Sequence, residues 1–235
     1  MSQLSESFLI LGMASSGREK VLYNLLIGAF DASDKVLVCM GKSEDPFYKK
    51  IRELPFVTVR DVDDPLTDAN DFNSLFLMAP AEVNLLTFLE AFSQKWKQLA
   101  LPLTRILSVV DCERLARDED KPYYEVVEHF SDVLLLNKHE KTPSQWLHAY
   151  EESFAHRHLP CIVERVKNGA VASVSVILDN EPRRMTHFFD DIDALDSMDL
   201  DADNVPDEPF VIEHKLDPYF EKNLTGDYIF QIDAK

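Results

Sequence analysis

The stretch Phe8–Phe30, FLILGMASSGREKVLYNLLIGAF, decides how the rest of the chain is read. An apolar run of strand length, FLIL, enters a loop bracketed by Gly12 and Gly17. Val21, Leu22, Leu25, Leu26 and Phe30 then recur at helical spacing. Strand, glycine-bracketed loop and amphipathic helix is the layout of the phosphate-binding motif G-x-x-x-x-G-K-[ST]. There the glycines let backbone N–H groups curl around phosphates, Lys reaches the outer phosphates and Ser or Thr ligates Mg²⁺. Gly12 and Gly17 have that spacing, with Ser15 and Ser16 inside the loop, but Arg18 and Glu19 stand where Lys and the hydroxyl residue belong. The stretch predicts a nucleotide-hydrolase architecture with an altered phosphate site. Glu19 also has a purely local reason to be there, because a carboxylate in a helix's first turn gains roughly 0.3 to 1 kcal/mol from the macrodipole.

Working outward, the apolar runs Lys35–Met40, Phe56–Arg60, Ser74–Met78, Arg105–Val110, Val133–Leu136 and Pro160–Val166 read as further strands. Between them, Glu82–Leu99 is the clearest amphipathic helix, with Leu85, Leu86, Leu89, Phe92, Trp96 and Leu99 on one stripe. A shorter helix is predicted around Tyr123–Phe130. Thr142-Pro143-Ser144-Gln145 reads as a capping box with Pro at the first helical position, opening a helix that carries Trp146, Leu147, Tyr150 and Phe154. The fold class is therefore α/β: a three-layer sandwich with a mostly parallel sheet, like that of P-loop NTPases, since parallel strands must cross over through helices. Ligands in such sheets bind at the carboxyl ends of the strands, here Gly12, Gly41, Asp61, Pro80, Asp111 and Asn137. Gly41-Lys42-Ser43 imitates the end of a phosphate loop but lacks the first glycine and a long apolar helix after it. Ala170–Leu178 fits helix and strand equally.

The chain has 235 residues, 46% of them hydrophobic, enough for one main domain with a full core. The expected division is a P-loop GTPase-like domain over residues 1–188, an acidic linker over 189–208 and C-terminal strands within 209–235. Nine acids and no Lys or Arg fall between Asp190 and Glu208, which reads as a solvated segment. Phe210–Leu216 and Asp227–Ile232 alternate enough to be two short strands that dock on the main domain or on a partner. A formal net charge of −18 opposes binding to nucleic acid or to an anionic membrane. Cys39, Cys112 and Cys161 have no paired spacing and read as reduced thiols, which points to the cytoplasm.

With the strand, Gly12–Gly17 loop and helix at the start, Ser108-Val109-Val110-Asp111-Cys112 at the end of the fifth strand and Leu134-Leu135-Leu136-Asn137-Lys138-His139-Glu140 at the end of the sixth, residues 6 to 180 resemble the CobW-type metal-insertion GTPases. The resemblance implies a site for GTP or GDP with Mg²⁺ built from Gly12, Ser15, Ser16, Gly17, Arg18 and Glu19, with Asn137, Lys138 and Glu140 reading guanine. It also implies that Ala170–Leu178 is helical. The departures lie at the chemistry: the family's loop Lys is Arg18, its Mg²⁺-binding Thr is Glu19, its acid after the fourth strand is missing from Met78-Ala79-Pro80, and its base-reading Asp is Glu140. Its metal-carrying Cys-x-Cys-Cys is absent. These departures leave guanine binding open and weigh against Mg²⁺-assisted hydrolysis and metal carriage.

The expectation is a CobW-like protein without catalytic residues, bound to a protein partner, with a guanine nucleotide or no cofactor; the oligomeric state stays open. The alternative is an active GTPase in which Arg18 replaces Lys and Glu19 or Asp111 holds Mg²⁺. Asp111 reads more simply as the cap of a following helix. His156, His158 and Cys161, in HRHLPC, and His187 with Asp190 and Asp191 are thin metal motifs, each lacking a second close cluster.

Overall fold

The computed structural model describes Leu4, residues 6–189 and residues 217–232. The acidic run 190–208 and the proposed strand Phe210–Leu216 lie outside the described residues. In chain order the elements are β1 (Glu6–Leu11), α1 (Arg18–Ala29), β2 (Val36–Cys39), α2 (Pro46–Arg52), β3 (Val57–Arg60), β4 (Ser74–Met78) and α3 (Leu85–Leu99). There follow β5 (Arg105–Asp111), α4 (Cys112–Leu115), α5 (Lys121–Phe130), β6 (Val133–Asn137), α6 (Ser144–His156), β7 (Ile162–Arg165) and α7 (Val174–Ile177). The seven strands form one sheet in the order β3-β2-β4-β1-β5-β6-β7, every pairing parallel. The α/β fold read from the sequence is the fold found.

The continuous apolar runs become strands buried on both faces, which is what an all-parallel sheet requires. Along β1 successive side chains alternate between the two cores: Phe8 and Ile10 enter one, Leu9 and Leu11 the other. The connections from β1 to β2 and from β2 to β3 step toward one edge, while those from β4 to β5, β5 to β6 and β6 to β7 step toward the other. Crossovers of a single hand then put α1 and α2 on one face and α3, α5 and α6 on the opposite one. The direction reverses between the neighbours β1 and β4, so the crevice of this sheet opens at their carboxyl ends. On the first face Phe8 stacks on Phe76, its register partner in β4, with ring centroids 4.8 Å apart.

Two local expectations need correction. The helix α6 has Pro143 as its cap position with no side-chain cap bond, and the Thr142 hydroxyl donates instead to the His139 carbonyl at 2.7 Å. The capping box does not form because that carbonyl, at the turn His139–Lys141, takes the hydroxyl first. Asp227–Ile232 is not a strand; one isolated bridge, Lys222 to Tyr228, is the ladder among the described residues there. Residues 217–232 pack through side chains instead. Phe220 is buried and stacks on Phe188 at 4.0 Å, Lys222 and Tyr228 both hydrogen-bond Glu90 of α3, and Asn84 donates to the Ile232 carbonyl. Of the ambiguous run Ala170–Leu178, residues Val174–Ile177 are helical.

The end of the sheet remote from the crevice is closed by two buried charges. Arg105, at the start of β5, donates to the carbonyls of Val176, Ile177 and Glu181, and Asp132 accepts from the backbone N–H groups of Ile106 and Arg184. Most of the polar atoms of these two groups find partners, which is how a charge persists in an interior. Among the described residues no helix is long and apolar enough to cross a membrane.

Candidate functional site

The loop between β1 and α1 rises at the crevice, and its backbone explains its glycines. Gly12 and Gly17 have φ of 154° and 88°. A Cβ on Gly17 would stand 2.5 Å from the Asn137 amide nitrogen, and one on Gly12 would stand 3.2 Å from the Val109 carbonyl, so both the turn and the close approach exclude a side chain. Ser15, at φ 60°, also takes the left-handed conformation, and the Ser16 N–H closes a turn on the Met13 carbonyl at 3.1 Å.

Arg18 does not reach outward. Its Nη1 donates to the Gly12 carbonyl at 3.0 Å and to the Ala79 carbonyl at 2.5 Å, and the residue is 8% exposed. The guanidinium therefore bridges the ends of β1 and β4 across the crevice. Glu19, equally buried, lies in the first turn of α1, with its Oε1 3.9 Å from Arg18 Nε and 3.4 Å from the Ser43 hydroxyl.

From the other side the end of β6 holds the loop. The Asn137 amide donates to the Ser16 carbonyl at 2.8 Å, and Lys138 Nζ donates to the Ser15 carbonyl at 2.8 Å and to Asp111 Oδ2 at 2.5 Å. Asp111 also accepts from the Arg114 N–H, so it caps α4, as its position after a strand suggests. The Tyr123 hydroxyl, from α5, meets the Gly12 backbone. Glu140 is brought to none of this: it is exposed on the turn His139–Lys141, 3.9 Å from His139.

A cavity of about 350 Å³ opens in front of the loop. It is lined by Ser15, Arg18 and Glu19, by residues 41–45 after β2, and by Met78, Ala79, Pro80 and Glu82 after β4. Glu44, Asp45 and Glu82 carry no signal in the sequence, and Lys42 and Ser43 stand out there only as the imperfect imitation of a phosphate loop. The signal that would have found them is topological, since Pro80 follows β4 at the crevice and Gly41 follows β2, the next strand beside it. The cavity's charged lining is two cations, Arg18 and Lys42, against four carboxylates, Glu19, Glu44, Asp45 and Glu82. The HRHLPC motif assembles nothing: His156 and His158 are exposed, Cys161 is buried, and no cluster of His, Cys, Asp and Glu able to hold a metal occurs among the described residues. All three cysteines are buried and unpaired.

No family model matches the chain, and no curated protein matches it by sequence. Solved structures do match. The Zn(II)-bound YjiA GTPase from E. coli aligns with a TM-score of 0.53 at 16% identity, over 90% of this chain and 68% of that one. A Zn(II)-bound triple mutant of YjiA gives 0.51 with the same identity and coverage. The hydrogenase maturation factor HypB from Archaeoglobus fulgidus aligns at 0.49 and 11% identity over 70% of this chain and 81% of its own, too weakly to argue from. At these identities the likeness concerns architecture alone. The seven parallel strands, the loop at the β1/β4 crevice and the alignment with YjiA give this chain a P-loop GTPase-like fold.

Proposed function

We propose that this chain is a CobW-like protein whose phosphate loop has been rebuilt as a structural joint, and that it works by binding a protein partner rather than by nucleotide turnover. The observation that carries the reading is the direction of Arg18. In a working loop the cation at this position reaches the outer phosphates of the nucleotide. Here its Nη1 is committed to two main-chain carbonyls, Gly12 and Ala79.

The residues present do not fit a Mg²⁺–triphosphate pair. A hydroxyl is the usual ligand at the position of Glu19. The end of β4, Met78-Ala79-Pro80, offers no carboxylate, and Asp111 is tied to Lys138. A triphosphate entering the cavity would meet four carboxylates and two cations, one of them already bonded to the protein. These residues therefore assemble no site for Mg²⁺-assisted hydrolysis. The observations support binding a partner at or beside this crevice, with a guanine nucleotide as an added ligand only if Asn137 and Lys138 serve the base while holding the loop.

The test is thermal unfolding with GTP, GDP, ATP or buffer, each with and without Mg²⁺, together with a phosphate-release assay. A ligand at 100 times its dissociation constant adds about 2.7 kcal/mol to the folded state and visibly raises the midpoint. The expected result is no Mg²⁺-dependent rise and no phosphate release. A Mg²⁺-dependent rise specific to GTP, with phosphate release abolished by Arg18→Ala, would establish the active GTPase instead.

A further inference from the structure

Many of the cations among the described residues are paired with acids. Arg60, Arg114, Lys138, Lys141, Arg157 and Arg165 each sit within 3.2 Å of a carboxylate, as 42 acids against 24 Lys and Arg would lead one to expect. The face formed by α1 and α2 gathers four that are not. Lys20, Lys49, Lys50 and Arg52 have no carboxylate partner among the described residues, and no acid occurs from Lys20 to Phe30 or from Pro46 to Arg52. Glu44 and Glu53 flank the face, but Asp45 is engaged as the cap of α2 and Glu19 is buried in the cavity.

Three of these cations, Lys20, Lys50 and Arg52, lie over aromatic rings. Lys50 Nζ is 4.4 Å from the Phe47 centroid and 5.9 Å from that of Tyr23, Lys20 Nζ is 5.7 Å from Phe47, and Arg52 is 5.8 Å from Tyr48. Tyr23 and Phe47 are themselves in contact across the two helices, 5.4 Å apart. The stem of Lys20 is pinned as well, since a Cβ on Gly169 would stand 2.6 Å from its Cγ. Ring faces hold the ammonium groups in place at modest energy. Less side-chain entropy then remains to be lost when an anionic partner arrives.

We propose that the α1/α2 face is a docking surface for an acidic, aromatic-containing segment of a partner protein. Charge complementarity selects the occupant. A long polyanion such as nucleic acid would feel the whole −18, whereas a short acidic peptide covers only the cationic face and lays its own apolar side chains on Tyr23 and Phe47. This deepens the partner-binding reading by giving the partner's chemistry and its place. It stands or falls separately from the nucleotide titrations, because none of its residues lines the cavity.

The experiment is fluorescence anisotropy of a labelled peptide of repeated Glu-Glu-Phe triplets titrated with the full chain at low and at physiological salt. A peptide with Gln for Glu and a labelled oligo-dT serve as comparisons. Binding that weakens with salt, falls about tenfold or more in K20E/K50E and is unchanged in K121E/K141E is the expected result. Circular dichroism would check that both variants stay folded. Equal binding by wild type and K20E/K50E, no binding of the Glu peptide, or tighter binding of oligo-dT would each overturn the proposal. So would peptide binding that appears only after the nine acids between Asp190 and Glu208 are neutralised, which would make this chain's own acidic segment the occupant.

Discussion

Replacing Arg18 with Ala separates a structural joint from a ligand-binding cation. The substitution removes two charge-assisted hydrogen bonds, to Gly12 and Ala79, each worth about 1.5 to 3 kcal/mol when made to a charged group. The loss is tempered because the truncated site opens on a cavity of about 350 Å³ from which water can reach the freed carbonyls. The lower end of the range then applies twice, giving about 3 kcal/mol, or a midpoint lowered by about 6 to 12 °C for a chain of this size. The assay is thermal unfolding followed by circular dichroism, without nucleotide and again with GTP and Mg²⁺. The drop should be the same in both conditions. Arg18→Lys should recover only part of it, because an ammonium keeps the charge but its side chain ends one atom short of the Nη1 that makes both bonds. The reasoning fails if Arg18→Ala melts like the wild type in buffer, or if its only effect is to abolish a nucleotide-induced rise.

Gly17→Ala puts a Cβ 2.5 Å from the Asn137 amide at a φ of 88° and should cost on the order of 1 to 3 kcal/mol in urea unfolding. Gly41→Ala, where a Cβ meets nothing within 4 Å, should be near neutral, and equal effects would refute the tight loop. Burial pushes the Asp217 carboxyl up, but hydrogen bonds from His129 and Thr186 outweigh it and hold the group below the usual carboxylate value. Its contribution is thus present above the unfolded value of about 4 and is lost as pH falls through the lower folded value, so Asp217→Asn should flatten the acid limb of midpoint against pH. Superimposable acid limbs for the two proteins would count against these hydrogen bonds. Burial raises the thiols of Cys39, Cys112 and Cys161 to about 11, about 12 and about 11; a disulfide reagent at mildly alkaline pH should label none in the native chain and all three after unfolding.

The sheet was legible because strands buried on both faces write themselves as uninterrupted apolar runs; Ser74–Met78 needed no adjustment at either end. The helix α2 escaped because its seven residues bury only Ile51, which leaves no periodicity to find. Asp227–Ile232 misled because alternation reports that one face is buried, not what buries it: Ile232 is covered, yet the backbone makes side-chain contacts rather than a ladder. At the site, the spacing of Gly12 and Gly17 was visible and so was the anomaly at Arg18. Where the guanidinium points was not, since one of its acceptors, Ala79, is 61 positions away and comes within reach only once β1 and β4 pair. Glu140 shows the converse, a residue well placed in sequence after Asn137 and Lys138 that the turn His139–Lys141 leaves in solvent.

Arg18 and Glu19 make most sense as one change. A loop curled at a helix N-terminus gathers positive partial charge that an anion ordinarily meets, and the carbonyls at the strand ends gather the negative counterpart. Glu19 places a carboxylate in the first turn of α1, and Arg18 places a cation on the carbonyls of Gly12 and Ala79. Their side chains, 3.9 Å apart and both almost fully buried, also offset each other's charge. Removing either alone leaves the other a buried charge without its counterion, so the pair is harder to abandon than to keep. Asn137 and Lys138 tether Ser16 and Ser15 from the far side, so the loop is held by charges and hydrogen bonds from within the chain. On the proposed reading, these contacts keep the crevice ordered without a ligand and let the neighbouring helices serve as the partner's surface.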